Sequence, residues 1–259
     1  MPGFLSDARA TLVPDLHGRQ GPLPPLLIAL TVVTGLVDAF SYLVLGRVFV
    51  ANMTGNVIFM AFSLAGSHDF SLTASLAALL GFAAGALLGG RLANRPQANR
   101  PLADRPQANR FPGHRGRLLF AAVVVETALV LLSYVATDLF TDPASGWVRY
   151  LLVVLLGVAM GTQNAAARRL AVPDLTTTVL TLTITGIAAD GRLAGGADSK
   201  AGRRVLSAAS MFIGALVGGL LALHSSIGLP LLLAVLLLAG STAVLSVHTR
   251  STLPWTQPG

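Results

Sequence analysis

The chain has 259 residues, of which 53% are hydrophobic and only 11% are charged, and it has a net charge of +7. A soluble domain carries about 25% charged residues, so this composition excludes an ordinary soluble protein. It also excludes a disordered chain, which would be poor in hydrophobic residues. Because the chain has no cysteine, a disulfide-stabilised secreted module is excluded as well. The composition predicts an all-α, polytopic helical membrane protein.

In chain order, residues 1–23 contain several prolines and scattered charges, and we expect them to form a flexible tail. Residues 24–248 are predicted to form a single transmembrane domain, followed by a short polar tail at 249–259. A spanning helix needs about 20 mostly apolar residues. The alternating pattern of a membrane β-barrel is absent from these segments. Eight candidate segments meet or approach the helical length: 24–46, 48–66, 70–90, 117–137, 147–167, 174–189, 204–224 and 229–247.

Two halves of the chain, about 24–139 and 147–248, resemble each other in the order of their long and short apolar segments. The sequence GALLGG at 85–90 recurs as GALVGG at 214–219. Fixed-order similarity of this kind indicates an internal duplication. Chance similarity between helices rich in Gly, Ala and Leu is the alternative.

A basic loop lies between the third and fourth segments, at about 91–117. Within it, the hexapeptide RPQANR at 95–100 is repeated without change at 105–110. A polar, proline-containing repeat of this kind predicts a flexible connection with no catalytic content. Binding of its arginines to anionic lipid headgroups is the weaker alternative.

The positive-inside rule distinguishes two membrane topologies. If all eight segments cross, the Lys and Arg residues divide almost evenly between the two sides. If the short segments 48–66 and 174–189 do not cross, six helices span, and only Arg47 and Arg149 of the 18 Lys and Arg residues lie opposite the termini. We therefore predict six spans in a bacterial inner membrane, with both termini in the cytoplasm. Eight spans are the alternative, since short loops can violate the rule.

The two short segments begin with polar residues, which also favours six spans. Irregular backbone at membrane depth is tolerated only where protein or a water-filled cavity satisfies it, so we predict broken or re-entrant segments. Three spans per half would make the second half an inverted repeat of the first. Transporters commonly bind their substrates at such a repeat interface. The polar starts contain Asn52, Thr54, Gly55 and Asn56 in the first half and Thr176, Thr177 and Thr178 in the second.

Two acids, Asp38 and Glu126, lie near the middle of apolar segments. An ionised acid at the bilayer centre costs at least about 2.5–3.5 kcal/mol on insertion scales, so an intramembrane acid indicates a functional site by default. Gln163 and Asn164 occupy the place in the second half that matches Asp38. Together with the polar starts of the short segments, these four side chains form a predicted translocation path. Interhelical hydrogen bonding without transport is the alternative.

Small residues recur at helical spacing in both halves. The rows contain Gly81, Gly85 and Gly89 in the first half and Gly214 and Gly218 in the second. Such residues let helix backbones approach closely. Packing within one molecule is the first interpretation, and a homodimer face is the alternative.

No nucleophile–base pair, phosphate-binding loop or dinucleotide fingerprint occurs, so we expect no enzyme activity and no cofactor. The five histidines are far apart, and no metal site is expected. Although a net charge of +7 could indicate nucleic-acid binding, the arginines lie where the positive-inside rule places them, so no nucleic-acid partner is expected.

The signature FVANMTGN at 49–56, preceded by GLVDAFSY at 35–42, resembles the YoaK family of small bacterial membrane proteins of unknown function. GTQNA at 161–165, followed by DLTTT at 174–178, is similar to the family's second signature. The resemblance covers about 25–248 and implies a polytopic membrane protein. It supplies no substrate and no catalytic residues.

Two functions follow as hypotheses. The first is a secondary transporter or channel-like protein for an unknown small solute or ion, with protons as candidate coupling ions and the lipid bilayer as its surroundings. The second is a membrane scaffold or assembly factor that does not transport and binds a partner through its glycine rows. A polar cluster at mid-depth would favour the first hypothesis, and an exposed glycine groove would favour the second.

Overall fold

Long apolar segments form helices because the bilayer offers backbone N–H and C=O groups no partner except one another. The computed structural model describes residues 2–16, 18–93, 114–140, 142–172, 175, 180–189, 201–249, 251 and 253–256. Over these residues the fold is all-α. The helices are α1 (Pro2–Leu12), α2 (Leu23–Val44), α3 (Met53–Leu64), α4 (Leu72–Ala93), α5 (Arg115–Leu139), α6 (Gly146–Leu170), α7 (Leu180–Ala189), α8 (Ala201–His224) and α9 (Leu229–His248).

Six of these helices, α2, α4, α5, α6, α8 and α9, are long and apolar enough to cross a membrane. The other apolar helices are shorter, since α3 has 12 residues and α7 has 10. At a rise of 1.5 Å per residue they cover only about 18 and 15 Å, against a hydrocarbon core of about 30 Å. The prediction of an all-α polytopic membrane protein with six long spans is confirmed, and within the described residues α3 and α7 are too short to add two more spans.

The N-terminal segment differs from the flexible tail expected at 1–23, because part of it is the helix α1, which packs against α8. Arg203 Nε donates to Thr11 Oγ1 across this contact at 3.2 Å. Proline is tolerated at the first position of a helix, where its missing N–H is not needed. Pro2 therefore starts α1, and the next proline, Pro14, follows its end. The prolines that suggested a tail are compatible with a helix between them.

The C-terminal tail folds back onto the same end of the molecule. A short 3-10 turn at Pro254–Thr256 buries Trp255 completely, and its ring lies close to Gly21 and Gly116. Arg117 Nε donates to the carbonyl oxygen of Thr249 at 2.9 Å. The N-terminal end of α2, the start of α5 and the tail after α9 therefore meet at one face.

Helices α4 and α6 pack in parallel along the glycine row of α4. Gly81 approaches the backbone of Val154, and two turns later Gly89 approaches Thr162, where an added Cβ would lie 2.8 Å from the carbonyl oxygen. Residue numbers therefore rise together on both helices. A side chain at these glycines would enter the neighbouring backbone, so the two helices can be this close only because the row is glycine.

Helices α2 and α8 also pack in parallel, here along the glycine row of α8. Gly214 approaches the backbone of Val32, and Gly218 approaches Leu36, again with numbers rising on both helices. The first long helix of each half of the chain therefore packs in parallel against the second long helix of the other half. In each half, a glycine row packs against a helix of the other half.

Helices α2 and α6 run antiparallel. Arg149, near the start of α6, donates from Nε to the carbonyl oxygen of Leu45 at the end of α2, at 2.6 Å. Gln163, further along α6, contacts Thr34, which lies earlier on α2. Helices α5 and α9 are antiparallel in the same way, since the start of α5 bonds to Thr249 after the end of α9. If all eight segments spanned, these pairs would run parallel.

The two basic residues on the face opposite the termini are both partnered. Arg47 forms an ion pair with Asp69 at 2.9 Å between the two side chains. Arg149 donates to the carbonyl oxygens of Leu45 and Gly46, at 2.6 and 3.2 Å. Gly46 and Arg47 have positive φ values, 83° and 57°, so the chain leaves α2 through a tight left-handed turn that presents these carbonyls.

Candidate functional site

Asp38 is buried in α2 and holds the connection that leads from α2 to α3. Its Oδ1 accepts two backbone hydrogen bonds, from the N–H groups of Val50 and Ala51, both at 2.9 Å. Its Oδ2 is buried and has no hydrogen-bond partner among the described residues. Two buried backbone donors outside any helix are thereby satisfied, as irregular backbone within a membrane requires. One carboxyl oxygen is structural, and the other is available.

Asn56, on the first turns of α3, holds the neighbouring residue of the same connection. Its Oδ1 accepts from the N–H of Phe49 at 3.0 Å, and its Nδ2 donates to the carbonyl oxygen of Phe49 at 2.6 Å. Asn56 is the buried residue of α3, while most of that helix is exposed. With Asp38, it satisfies three successive residues of irregular backbone. The break between α2 and α3 is therefore built by two polar side chains.

A second cluster of polar side chains joins three helices. It lies at Thr34, one turn before Asp38. The side-chain amide of Gln163 on α6 lies between Thr34 on α2 and Glu126 on α5. Thr34 Oγ1 is 2.9 Å from the nearer amide atom, and the Glu126 oxygens are 2.5 and 3.3 Å from the other. All three side chains are buried, with Glu126 at 0% exposure. We call these three residues the Glu126–Gln163–Thr34 chain.

The remaining buried hydroxyl groups of the spanning helices mostly bond within their own helices. Thr31 donates to the carbonyl oxygen of Leu27, and Ser133 donates to that of Leu129. Such bonds to the preceding turn satisfy a hydroxyl without a partner from another helix. The acid and amide side chains, in contrast, reach other segments, so the polar connection between helices depends on them.

The other predicted path residues differ in how far they are buried in the protein. Asn52 precedes α3 and is half-buried, Thr54 is exposed, and Gly55 lies against the ring of Phe49. Asn164 is half-buried and donates to the carbonyl oxygen of Met160 at 2.9 Å within α6. Thr176, Thr177 and Thr178, and most of the basic loop at 91–117, lie outside the described residues.

The structure thus brings Asp38 together with Asn56, and Glu126 together with Gln163, as two neighbouring clusters. Sequence reasoning placed these four in the path but missed that Thr34 bonds to Gln163. The stripe of polar residues on α2 at helical spacing, to which Thr34 belongs, was the signal that could have found it. It also missed that Asp38 binds backbone, because no pattern marks the N–H groups of Val50 and Ala51.

An aromatic cluster covers the α2–α3 connection. Phe49 stacks against Tyr42 at 4.9 Å between ring centroids and against Phe59 at 5.7 Å. Phe59 in turn stacks against Phe70 at 4.7 Å. Offset and stacked aromatic pairs of this kind add about 0.5–1.5 kcal/mol beyond area burial. The cluster shields the backbone that Asp38 and Asn56 satisfy.

The five glycines of the predicted packing rows lie inside the molecule. Each one approaches the backbone of another helix of the same chain, as described for α4 with α6 and α2 with α8: Gly81, Gly85, Gly89, Gly214 and Gly218. These positions are occupied within the monomer, so they are not available as a partner-binding groove. A homodimer stays a prediction, but it would have to use other surfaces.

Comparison with known proteins shows which family the chain resembles. Residues 26–244 match the model of a family described as a protein of unknown function, DUF1275. The chain is 29% identical over 175 residues to the UPF0700 transmembrane protein YoaK of Bacillus subtilis (strain 168), covering 65% of this chain and 68% of the relative. No solved structure matches the chain.

Proposed function

The chain belongs to the DUF1275 family, and we propose that it is a secondary transporter or channel-like protein for a small solute or ion. The observation that carries the proposal is the buried, cross-helix pair of polar clusters around Asp38 and Glu126. Each acid costs at least about 2.5–3.5 kcal/mol to place at the bilayer centre when ionised. Intramembrane acids of this kind mark ion, proton or substrate pathways.

The free oxygen of Asp38 supports the same function. A carboxyl group needed only to hold the α2–α3 connection could be replaced by an amide, which has one acceptor oxygen and would serve Val50 and Ala51 equally. The second buried oxygen has no partner among the described residues, and no Lys or Arg side chain bonds to Asp38 there. A proton, a cation or a polar solute group is the ligand such an oxygen would bind.

We further propose that the two halves form an inverted repeat. The support is that α2 with α6, and α5 with α9, are antiparallel, while α2 and α6 each pack in parallel on a long helix of the other half. A two-fold axis in the membrane plane relates helices in this way. Repeats of this type place their binding sites near the midplane, on interrupted helices, and Asp38 binds the irregular backbone between α2 and α3.

The proposal treats the protein as a transporter and not as an enzyme, with the lipid bilayer and an unknown small solute or ion as its partners. Nucleic acid has no part in it. The scaffold hypothesis has no specific observation in its favour, because the glycine rows on which it depended are occupied within the molecule.

Transport is tested with purified protein in liposomes that enclose a pH-sensitive dye, to which small metabolites and inorganic ions are added one at a time. At least one addition is expected to change internal pH or to accumulate, and Asp38→Asn is expected to abolish the change. Asp138→Asn, an exposed acid at the end of α5, is the matched control and is expected to behave as wild type. If no compound moves and none raises the melting temperature of the protein, the transporter proposal is wrong.

We propose that the protein lies in a bacterial inner membrane with both termini in the cytoplasm. Because the chain has no native cysteine, single cysteines report sidedness without background. In intact spheroplasts an impermeant maleimide is expected to label Ser67→Cys and Ser145→Cys. Ala98→Cys, in the basic loop, is expected to react only after the membrane is permeabilised. Labelling of Ala98→Cys in intact spheroplasts would reverse the proposed orientation.

A further inference from the structure

We propose that Glu126 is an exchangeable proton-binding site and that the amide of Gln163 reverses when this proton leaves. The inference rests on the proposed function in naming the proton as the coupling ion, and it is carried by the geometry of the Glu126–Gln163–Thr34 chain. That chain can be hydrogen-bonded from end to end in two ways, and the two differ by one proton on Glu126.

In the protonated state one continuous run of hydrogen bonds leads from Glu126 to α2. The Glu126 O–H donates to the carbonyl oxygen of Gln163, whose Nε2 then donates to Thr34 Oγ1 at 2.9 Å. The Thr34 hydroxyl in turn donates to the carbonyl oxygen of Leu30 at 3.0 Å. In this orientation the amide oxygen of Gln163 faces Glu126, 2.5 Å from Oε1, and a protonated carboxyl supplies the donor that a hydrogen bond between the two oxygens requires.

In the deprotonated state the same side chains bond in the opposite sense. The amide of Gln163 turns over, so that Nε2 donates to Glu126 Oε1 at 2.5 Å and to Oε2 at 3.3 Å. Its carbonyl oxygen now accepts from Thr34 Oγ1 at 2.9 Å. A hydroxyl group has a single proton to donate, so Thr34 must give up its bond to the carbonyl oxygen of Leu30. Loss of a proton from Glu126 on α5 therefore breaks a hydrogen bond within α2.

Among the described residues, no other charged group is placed to hold Glu126 in one protonation state. Helix α5 packs against α4, α6, α9 and the turn at Pro254–Thr256. Among the described residues Glu126 forms no ion pair, and the charged or titratable groups on α5 and on these neighbours lie near helix ends or at least two turns from Glu126. They are Arg91 on α4; Arg115, Arg117, Tyr134 and Asp138 on α5; Arg149, Tyr150, Arg168 and Arg169 on α6; and His248 on α9.

The arrangement links the two halves of the chain in the middle of α2, close to the acid that holds the α2–α3 connection. Thr34 lies one turn before Asp38, which holds the irregular backbone at Val50 and Ala51. Glu126 and Thr34 belong to the first half, and Gln163 belongs to the second. A proton bound at Glu126 therefore changes hydrogen bonds in both halves, which is what coupling between a proton and the packing of the repeats requires.

Infrared difference spectroscopy of the full-length protein in lipid tests the proposal directly, without any transported solute. Wild-type protein is expected to show the carbonyl band of a buried carboxylic acid, which disappears reversibly as pH is raised and is absent from Glu126→Gln. The Gln163 side-chain amide band, identified by its loss in Gln163→Leu, is expected to shift over the same pH interval. Glu126→Gln keeps a donor for Gln163 and is expected to fold, as verified by size-exclusion chromatography.

Two variants serve as controls for the assignment. Asp138→Asn, on the same helix but exposed, is expected to keep the titrating band, and Asp38→Asn is expected to keep it too. If the band is unchanged in Glu126→Gln, or does not respond to pH, Glu126 is not an exchangeable proton site. If the band titrates while the amide band stays constant, the reversal of Gln163 is wrong. Transport without a titrating Glu126 would overturn this inference alone, whereas titration without transport would overturn only the proposed function.

Discussion

Replacing Gly85 with leucine is expected to prevent α4 from packing on α6 and to leave the protein unfolded or aggregated. A Cβ at this position would meet the carbonyl oxygen and Cα of Val158, which belong to helical backbone and cannot rotate away. Overpacking in a core that can adjust costs about 1–3 kcal/mol, and a leucine against rigid backbone should exceed this range. The recovery of monodisperse protein from detergent and its thermal midpoint measure the effect.

Gly90, in the same helix, provides a matched control. Nothing lies within 4 Å of a Cβ added there, so Gly90→Leu has the same gain in helix propensity without the clash. It is expected to fold with a midpoint equal to or above that of wild type. Gly214→Leu, against Val32 in the other half, should be as damaging as Gly85→Leu. Equal damage from Gly90→Leu would mean that close approach of α4 and α6 is not what the glycine provides.

Replacing Asp38 with alanine is expected to release the connection between α2 and α3. The substitution leaves the N–H groups of Val50 and Ala51 without their acceptor in a buried site. Each buried donor left unsatisfied costs about 1–3 kcal/mol. The free energy of unfolding, measured by denaturant titration in mixed micelles, should fall accordingly, and a protease should cut between the two helices more readily.

Asp38→Asn separates this structural role from the proposed ligand role. The amide oxygen can still accept from both N–H groups, so stability should stay close to that of wild type while transport is lost. If Asp38→Asn is as unstable as Asp38→Ala, then the negative charge holds the connection, and a loss of transport in this variant would no longer indicate ligand binding.

The six spans could be predicted because the rules that govern them are local. A run of about 20 apolar residues must form a helix in a bilayer, and the arginines select six crossings over eight. The helix α1 was not predicted, because its stability comes from packing on α8 and a bond between Arg203 and Thr11, residues 192 positions apart. Prolines near a helix were read as signals of a tail.

The candidate site could be predicted only in part, because its contacts also join residues that are distant in the chain. Asp38 and Glu126 are conspicuous because acids are rare in apolar segments. Their partners are not conspicuous, since Asp38 binds backbone N–H groups, which every residue except proline carries. The contact of Gln163 with Glu126 joins two antiparallel helices at a height that depends on how they pack, and no pattern along the chain encodes that height.

By itself, the amino-acid sequence determined that this is a helical membrane protein with six long spans, and it identified the acids that membrane burial makes unusual. Those properties follow from the transfer of single side chains and single helices between water and lipid. Only the tertiary structure decided that α2 and α6 are antiparallel, that the glycine rows are used within the molecule, and that Thr34, Gln163 and Glu126 share one set of hydrogen bonds. Within lipid no hydrophobic force distinguishes one helix partner from another, so close backbone packing and a few polar contacts make that choice.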